Sequence, residues 1–286
     1  MIRRSVRRRG EGRPVPQLFA GTETRCPSHQ NAVDMIPGWS SRFPSHFGIE
    51  AGKLPLFQDP RIAWAIGTFG DLTGRSVLEL GPLEAAHTSM LAKAGAHVDA
   101  IESNEIAYFK CLITREILGF ANVRFHLGDF VEALEQNDKT YDFIVASGVL
   151  YHMRDPLRLI RAMARRTTAI YLWTVVVDDD DLAPASCQPF NGVDVRLYRV
   201  KYGKRNESFC GGPRDYPLWM RQDDILAVLR TLGFSNLSIA PEVGASSQNG
   251  LRKLSVFATA RTWIAGAPDA NSSSPQVWPR CGGHVV

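Results

Sequence analysis

Nowhere does the chain reach the ~18 consecutive apolar residues that a membrane-spanning helix needs, so none is expected. The arginine-rich start (Arg3, Arg4, Arg7, Arg8, Arg9 and Arg13) is not followed by an apolar stretch of signal-peptide length, and the expected location is the cytoplasm. Cysteine is sparse. Cys26, Cys111, Cys187, Cys210 and Cys281 are odd in number, scattered, and never in a C-x-x-C pair. That argues against a disulfide framework and against a zinc site. No activating motif surrounds any of them, and Cys111, inside a helical pattern, is read as core. The one acidic run, DDDD at 178–181, is read as a solvated turn, because four consecutive carboxylates cannot all face one ion. No metal is expected, and no internal repeat is present.

Against these absences stand 44% hydrophobic and 22% charged residues in 286, enough for one large core or one domain with additions. The net charge of +4 owes much to the first thirteen residues, a run that could touch nucleic acid or anionic lipid. Without apolar periodicity, residues 1–30 are read as a disordered basic extension. Trp39, Phe43, Phe47, Phe57 and Trp64 lie among prolines, marking residues 31–75 as an ordered N-terminal cap that leads into a helix over 60–69. Strand-like and helical patterns then alternate. SVLEL (76–80), HVDAIE (97–102), NVRFHLG (122–128), YDFIVASG (141–148) and AIYLWTVVV (169–177) are strands. Between them fall helices, the strongest being EIAYFKCLITREIL, where Ile106, Phe109, Leu112, Ile113 and Ile117 recur at helical spacing. Asp155-Pro156 supplies an N-cap and first-turn proline for another.

Repeated βα units imply a parallel sheet with helices on both faces. Residues 178–217 break the rhythm and are read as an insertion or lid within a domain spanning 76–261. The helix DDILAVLRTL follows, then strands at 235–241 and 253–260 with no helix between them, an antiparallel hairpin at one edge. Residues 262–286 are read as a disordered tail.

Ligands of an open parallel sheet bind beyond the carboxyl ends of its strands. Those ends carry Glu79-Leu80-Gly81, Glu102, Gly128-Asp129-Phe130 and Ser147 to His152. Glu102 follows Gly81 at the ~20-residue spacing at which an acidic side chain accepts hydrogen bonds from ribose hydroxyls. The loop after the first strand is poorly made for a diphosphate, because Pro82 has no N–H and the later G-x-G-x-x-G positions are Leu83 and Ala86. It suits an adenosine-containing ligand without phosphate.

ELGPLEAAHT, AIESN, LGDF and YDFIVASGVLYHMRDP resemble motifs of class I S-adenosylmethionine-dependent methyltransferases, over roughly residues 57–177. The resemblance implies a seven-stranded, mostly parallel Rossmann-like α/β sheet with the last strand antiparallel, and S-adenosyl-L-methionine as cofactor. By position it implies Glu79, Gly81 and Pro82 in the loop beside the methionine part, and Glu102 with Ser103 at the ribose. It implies Asp129 at the adenine amino group, Phe130 or Ile101 against the ring, and Ser147 and Gly148 on the path to the sulfonium. The sequence departs from the family's E/D-x-G-x-G-x-G frame at Leu83 and Ala85. GVLYH also occurs in enzymes that transfer a carboxymethyl group to transfer-RNA wobble uridine, where the motif's tyrosine, here Tyr151, meets the carboxylated cofactor.

His152, at the end of the fourth strand, has the residue type for a general base, or else caps a helix start. His87 is read as helix surface. Between 196 and 219, basic residues interleave with aromatics (Tyr198, Arg199 and Trp219 among them), which could grip an anionic or aromatic acceptor or RNA bases. The leading expectation is methyl transfer to a small molecule or glycan, at oxygen. Alternatives are a transfer-RNA modifying methyl- or carboxymethyltransferase that uses the basic segments, and a cofactor-binding protein without turnover. A nicotinamide oxidoreductase fits least, for the phosphate reason above. No membrane partner is expected, and nothing in the sequence fixes an oligomeric state.

Overall fold

The structure, a computed structural model, describes residues 21–179, 182–200, 216–241 and 251–261. The expectations placed on the N-terminal arginines, on Asp180 and Asp181, on Lys201, Lys204, Arg205 and their neighbours, and on the tail 262–286 lie outside these residues.

Five parallel strands, β1 (Ser76–Leu80), β2 (His97–Glu102), β3 (Val123–Leu127), β4 (Phe143–Ser147) and β5 (Ala169–Val175), fall where the apolar runs predict them. The closing hairpin, β9 (Asn236–Ile239) and β10 (Lys253–Thr259), places β10 antiparallel to both β5 and β9. The order is β3-β2-β1-β4-β5-β10-β9. The chain reverses direction across the sheet between β1 and β4, and that switch point is where such sheets leave a crevice.

Successive residues of a strand face opposite sides, and the sheet sorts its side chains accordingly. Leu78, Leu80, Ile144, Ala146, Ile170 and Leu172 pack on one face against α5 (Phe130–Gln136), α6 (Pro156–Ala164) and α7 (Gln222–Thr231). Val77, Val98, Phe143, Val145 and Tyr171 pack on the other against α2 (Pro60–Phe69), α3 (Ala86–Lys93) and α4 (Glu105–Leu118). The α4 stripe differs from expectation. Ala107, Cys111, Thr114 and Ile117 are buried, whereas Ile106 and Phe109 are 47% and 40% exposed. Small residues let α4 lie close to the sheet, and this turns the larger apolar side chains outward.

Ordered structure begins before the expected boundary at residue 31, since α1 spans His29–Met35 and Arg25 bonds Glu23 and Asp34. Beyond α1 the chain makes two short 3-10 turns, Ser45–Phe47 and Leu56–Gln58, and a small core of its own: Val33, Phe43 and Phe57 pack with Ala86 and Ile117. The stretch expected as a lid contains β6 (Ser186–Phe190) and β7 (Val193–Arg199), which with β8 (Leu218–Trp219), just beyond it, form a second antiparallel sheet. Phe190, Val195 and Leu197 join the main core beside α7, so packing fixes these strands.

Candidate functional site

Beyond the carboxyl ends of β1, β2, β3 and β4 lies a cavity of about 370 Å³, and the residues lining it come from two parts of the chain. The first wall is the strand ends themselves. After β1 the loop puts three residues in the left-handed region: Gly81 (φ 66°), Leu83 (φ 56°) and Ala85 (φ 62°). These are the three positions at which glycine is expected. The backbone keeps the conformation although two of the glycines are gone, at a cost of about 1–2 kcal/mol for each side chain. Only Gly81 is also required by space, because a Cβ there would stand 2.7 Å from Val149 Cγ1. The turn is held by Gly81 N–H to Ile101 O (3.0 Å) and Ala85 N–H to Pro82 O (2.9 Å). The helix begins at Ala86, with Ala85 as its N-cap.

Glu102, at the end of β2, is buried. Its carboxylate accepts from the N–H groups of Leu83 (3.1 Å) and Asn104 (2.8 Å), while burial raises its pKa. Ser103, Asp129, Phe130, Ser147 and Gly148 line the same wall, as do Gly81 and Pro82. Asp129 Oδ1 caps α5 by accepting from Val131 N–H (2.8 Å). The Ser147 hydroxyl is buried and has no hydrogen-bond partner among the described residues, an arrangement that costs about 1–3 kcal/mol unless a ligand completes it. Glu79 does not line the cavity. It is buried beneath the loop and accepts from Thr88 Oγ1 at 2.5 Å, and burial raises its pKa. Its place is behind the turn, not on the cavity wall.

The second wall comes from the N-terminal segment: Ser41, Leu54, Leu56 and Arg61, facing Glu84, His87 and Trp173. Glu84, 1% exposed, fastens it. Its carboxylate accepts from the N–H groups of Ser40 (2.8 Å) and Ser41 (2.6 Å) and from Lys110 Nζ (3.1 Å). Lys110 also donates to Gly38 O at 2.6 Å and sits over the Trp39 ring. The Ser41 hydroxyl is buried and unpartnered, like that of Ser147. Asp59, N-cap of α2, binds the Arg61 guanidinium and His87 Nε2 (2.9 Å). Burial would raise its pKa, but the bonds from His87 and Arg61 hold it well below the usual carboxylate range. Arg61 lies 4.2 Å from the centroid of the Trp173 ring. His87 is thus 14% exposed, carboxylate-bound and cavity-lining, not on the helix surface as the sequence suggested.

Tyr151 and His152 close the inner end, in a 3-10 turn after β4. Burial pushes the Tyr151 hydroxyl up to about 12 and the His152 imidazole down to about 4. His152 is therefore neutral at physiological pH and a weak base. Tyr198, Arg199 and Trp219, expected to grip the acceptor, do not line the cavity. Tyr198 is 1% exposed, its hydroxyl accepting from Arg221 Nε at 2.7 Å. Arg199 stacks on Tyr216, and Trp219 Nε1 donates to the Tyr151 carbonyl at 2.8 Å. Their alternating polar and apolar pattern is that of an antiparallel strand packed on a core, which the reading of an irregular lid overlooked. The sequence reading also missed Ser41, Leu54, Leu56, Asp59, Arg61 and Trp173. The Asp59-Pro60 dipeptide was a legible N-cap signal, but its carboxylate's second role depends on α3 arriving beside it.

The sheet order, the antiparallel seventh strand and a strand-end cavity lined by the Glu102 carboxylate define the class I methyltransferase arrangement. Residues 57–238 match the family model described as "Methyltransferase domain". A transfer-RNA U34 carboxymethyltransferase of Psychrobacter arcticus is 28% identical over 123 residues, covering 39% of this chain but only 35% of that protein, about a third of its length. Among solved structures, the N-terminal domain of EvdMO1, crystallised in the presence of SAH and D-fucose, is similar with a TM-score of 0.65 at 23% identity, over 82% of this chain and 95% of that one. Full-length EvdMO1 is similar with a TM-score of 0.57, the match spanning 81% of this chain and 47% of that one. The chain belongs to the class I S-adenosylmethionine-dependent methyltransferase family. The cavity suits that cofactor on its own terms: a glycine where a Cβ would collide, a buried carboxylate at the end of β2, and a Ser147 hydroxyl with no partner among the described residues. Among the described residues, no group of three or more His, Cys, Asp or Glu could hold a metal ion, and no helix is long and apolar enough to cross a membrane.

Proposed function

We propose that the protein transfers the methyl group of S-adenosylmethionine to an oxygen of a small molecule or glycan. The strand-end wall holds the cofactor: Gly81 and Pro82 at its amino-acid end, Glu102 and Ser103 at the ribose, Asp129 and Phe130 at the adenine, Ser147 and Gly148 along the path to sulfur. The N-terminal wall receives the acceptor. The bound cofactor supplies an activated methyl on a positive sulfonium, while the chain supplies alignment and a dry cavity. The observation that carries this reading is the two-part cavity. Its outer wall (Ser41, Leu54, Leu56, Arg61) is fastened by buried Glu84 and Lys110 and combines apolar with hydrogen-bonding side chains. Such a lining suits a compact, uncharged, hydroxyl-bearing molecule.

The test is transfer of tritium from methyl-labelled S-adenosylmethionine to a panel of p-nitrophenyl glycosides, D-fucosides among them because of the sugar used with EvdMO1. Labelled product from any of them supports the reading. A second reading rests on the likeness to the U34 carboxymethyltransferase. It predicts carboxylated S-adenosylmethionine in the purified protein by mass spectrometry and label incorporation into unmodified transfer RNA. Cofactor binding without any transfer would instead favour a non-catalytic role.

A further inference from the structure

We infer that His87, held by Asp59, is the group that takes the proton from the acceptor hydroxyl. This rests on the O-methyl transfer reading above. Asp59 is 4% exposed, and its two carboxylate oxygens are both engaged. Oδ1 accepts from the Arg61 backbone N–H and from Arg61 Nε, both at 2.9 Å. Oδ2 accepts from the Arg61 guanidinium and faces His87 Nε2 at 2.9 Å. A carboxylate receiving this many N–H groups is ionised and can only accept, so the proton of a neutral His87 must sit on Nε2. The lone pair is then on Nδ1. No described residue hydrogen-bonds that atom, and the His87 side chain lines the cavity.

The arrangement is that of an imidazole oriented by a buried acid, in which the acid fixes the tautomer and stabilises the imidazolium that forms. The acceptor O–H proton passes to His87 Nδ1 as the oxygen's electron pair forms the new O–C bond. The electrons of the breaking S–C bond stay on sulfur, leaving S-adenosylhomocysteine. The proton on His87 then leaves to solvent. Asp59 positions the ring without touching the acceptor. The charged groups around His87 are Asp59 and Arg61 at the start of α2 and Glu79 on β1. Burial lowers the proton affinity of His152.

The experiment is nitrogen-15 NMR of histidine-labelled protein saturated with S-adenosylhomocysteine, with His87→Gln used to assign the His87 signals. The expected result, above the imidazole's own titration, is a neutral His87 protonated at Nε2 with a bare Nδ1, and loss of that single tautomer in Asp59→Asn. Protonation on Nδ1 would overturn the inference whatever the acceptor proves to be. Because Asp59→Asn also removes a helix cap, its fold is checked by its affinity for S-adenosylhomocysteine, and His87→Gln stands as the second variant. With any p-nitrophenyl glycoside that wild-type protein methylates, His87→Gln is expected to lower kcat about 10²–10⁴-fold, the usual worth of a positioned base. It should leave S-adenosylhomocysteine binding unchanged and abolish the rise of rate with pH on the acidic limb of the profile. Unchanged kcat in that variant would overturn the inference. Absence of transfer by wild-type protein would count against the O-methylation reading instead, leaving the tautomer to decide the role of His87.

Discussion

The two walls of the cavity are held in different ways. The strand-end wall is a consequence of the sheet: each polar residue follows an apolar strand, and backbone hydrogen bonds fix it where the strand stops. The N-terminal wall is strapped on by side chains, above all Glu84, which joins Ser40, Ser41 and Lys110. A wall made by the sheet should survive most single substitutions. A strapped wall should come away when its buried ion pair is cut.

The largest effect is therefore expected from Glu84→Gln. It leaves Lys110 buried without its carboxylate, and losing one partner of a buried pair costs about 3–5 kcal/mol. Urea unfolding should show that loss, and adding Lys110→Met should recover part of it. A loss below 1 kcal/mol, on the same scale, would mean the strap is ornamental.

His152 provides a second probe, through pH. Burial brings its imidazole down to about 4 in the folded protein, below the ordinary histidine value of 6.5. Between these values the unfolded chain binds more protons than the native one, so stability is highest above pH 6.5 and falls as pH drops toward 4. The integrated loss is about 3 kcal/mol. Replacing His152 by Gln should flatten that part of the stability curve; an unchanged curve would show the inner end to be wet.

On the strand-end wall, Glu102→Ala removes a carboxylate bonded by two backbone N–H groups. Bonds to a charged group are worth about 1.5–3 kcal/mol. Calorimetry should accordingly show S-adenosylhomocysteine binding weakened by roughly 10- to 100-fold, with the fold intact. The smallest effect belongs to Leu83→Gly and Ala85→Gly. Relief of the left-handed strain (about 1–2 kcal/mol) is offset by the greater freedom glycine gives the unfolded chain (about 0.5–1 kcal/mol). Melting should show each variant as stable as wild type or slightly more so. A clear destabilisation would mean that the side chains themselves support the loop.

Legibility from the sequence follows the same division. The five parallel strands, the closing hairpin and the residues at the strand ends follow from apolar runs and their punctuation, which are local signals. The left-handed backbone at Leu83 and Ala85 was not legible, because sequence suggests such a conformation only through glycine. The N-terminal wall was not legible either. Ser41, Asp59 and Arg61 gain meaning only when α2 meets α3 and Glu84 reaches forty-odd residues back to Ser40 and Ser41. Tyr198, Arg199 and Trp219 misled because a basic-aromatic pattern is shared by ligand-gripping loops and by strands packed on a core.

One measurement tests the division directly: a crystal structure of the protein with S-adenosylhomocysteine. The adenosine is predicted to lie on the strand-end wall, ribose hydroxyls on Glu102 and adenine beside Asp129 and Phe130, with Ser41, Leu54, Leu56 and Arg61 left to face the acceptor. Adenosine seated instead against Leu54 and Leu56, with Glu102 untouched, would contradict the account.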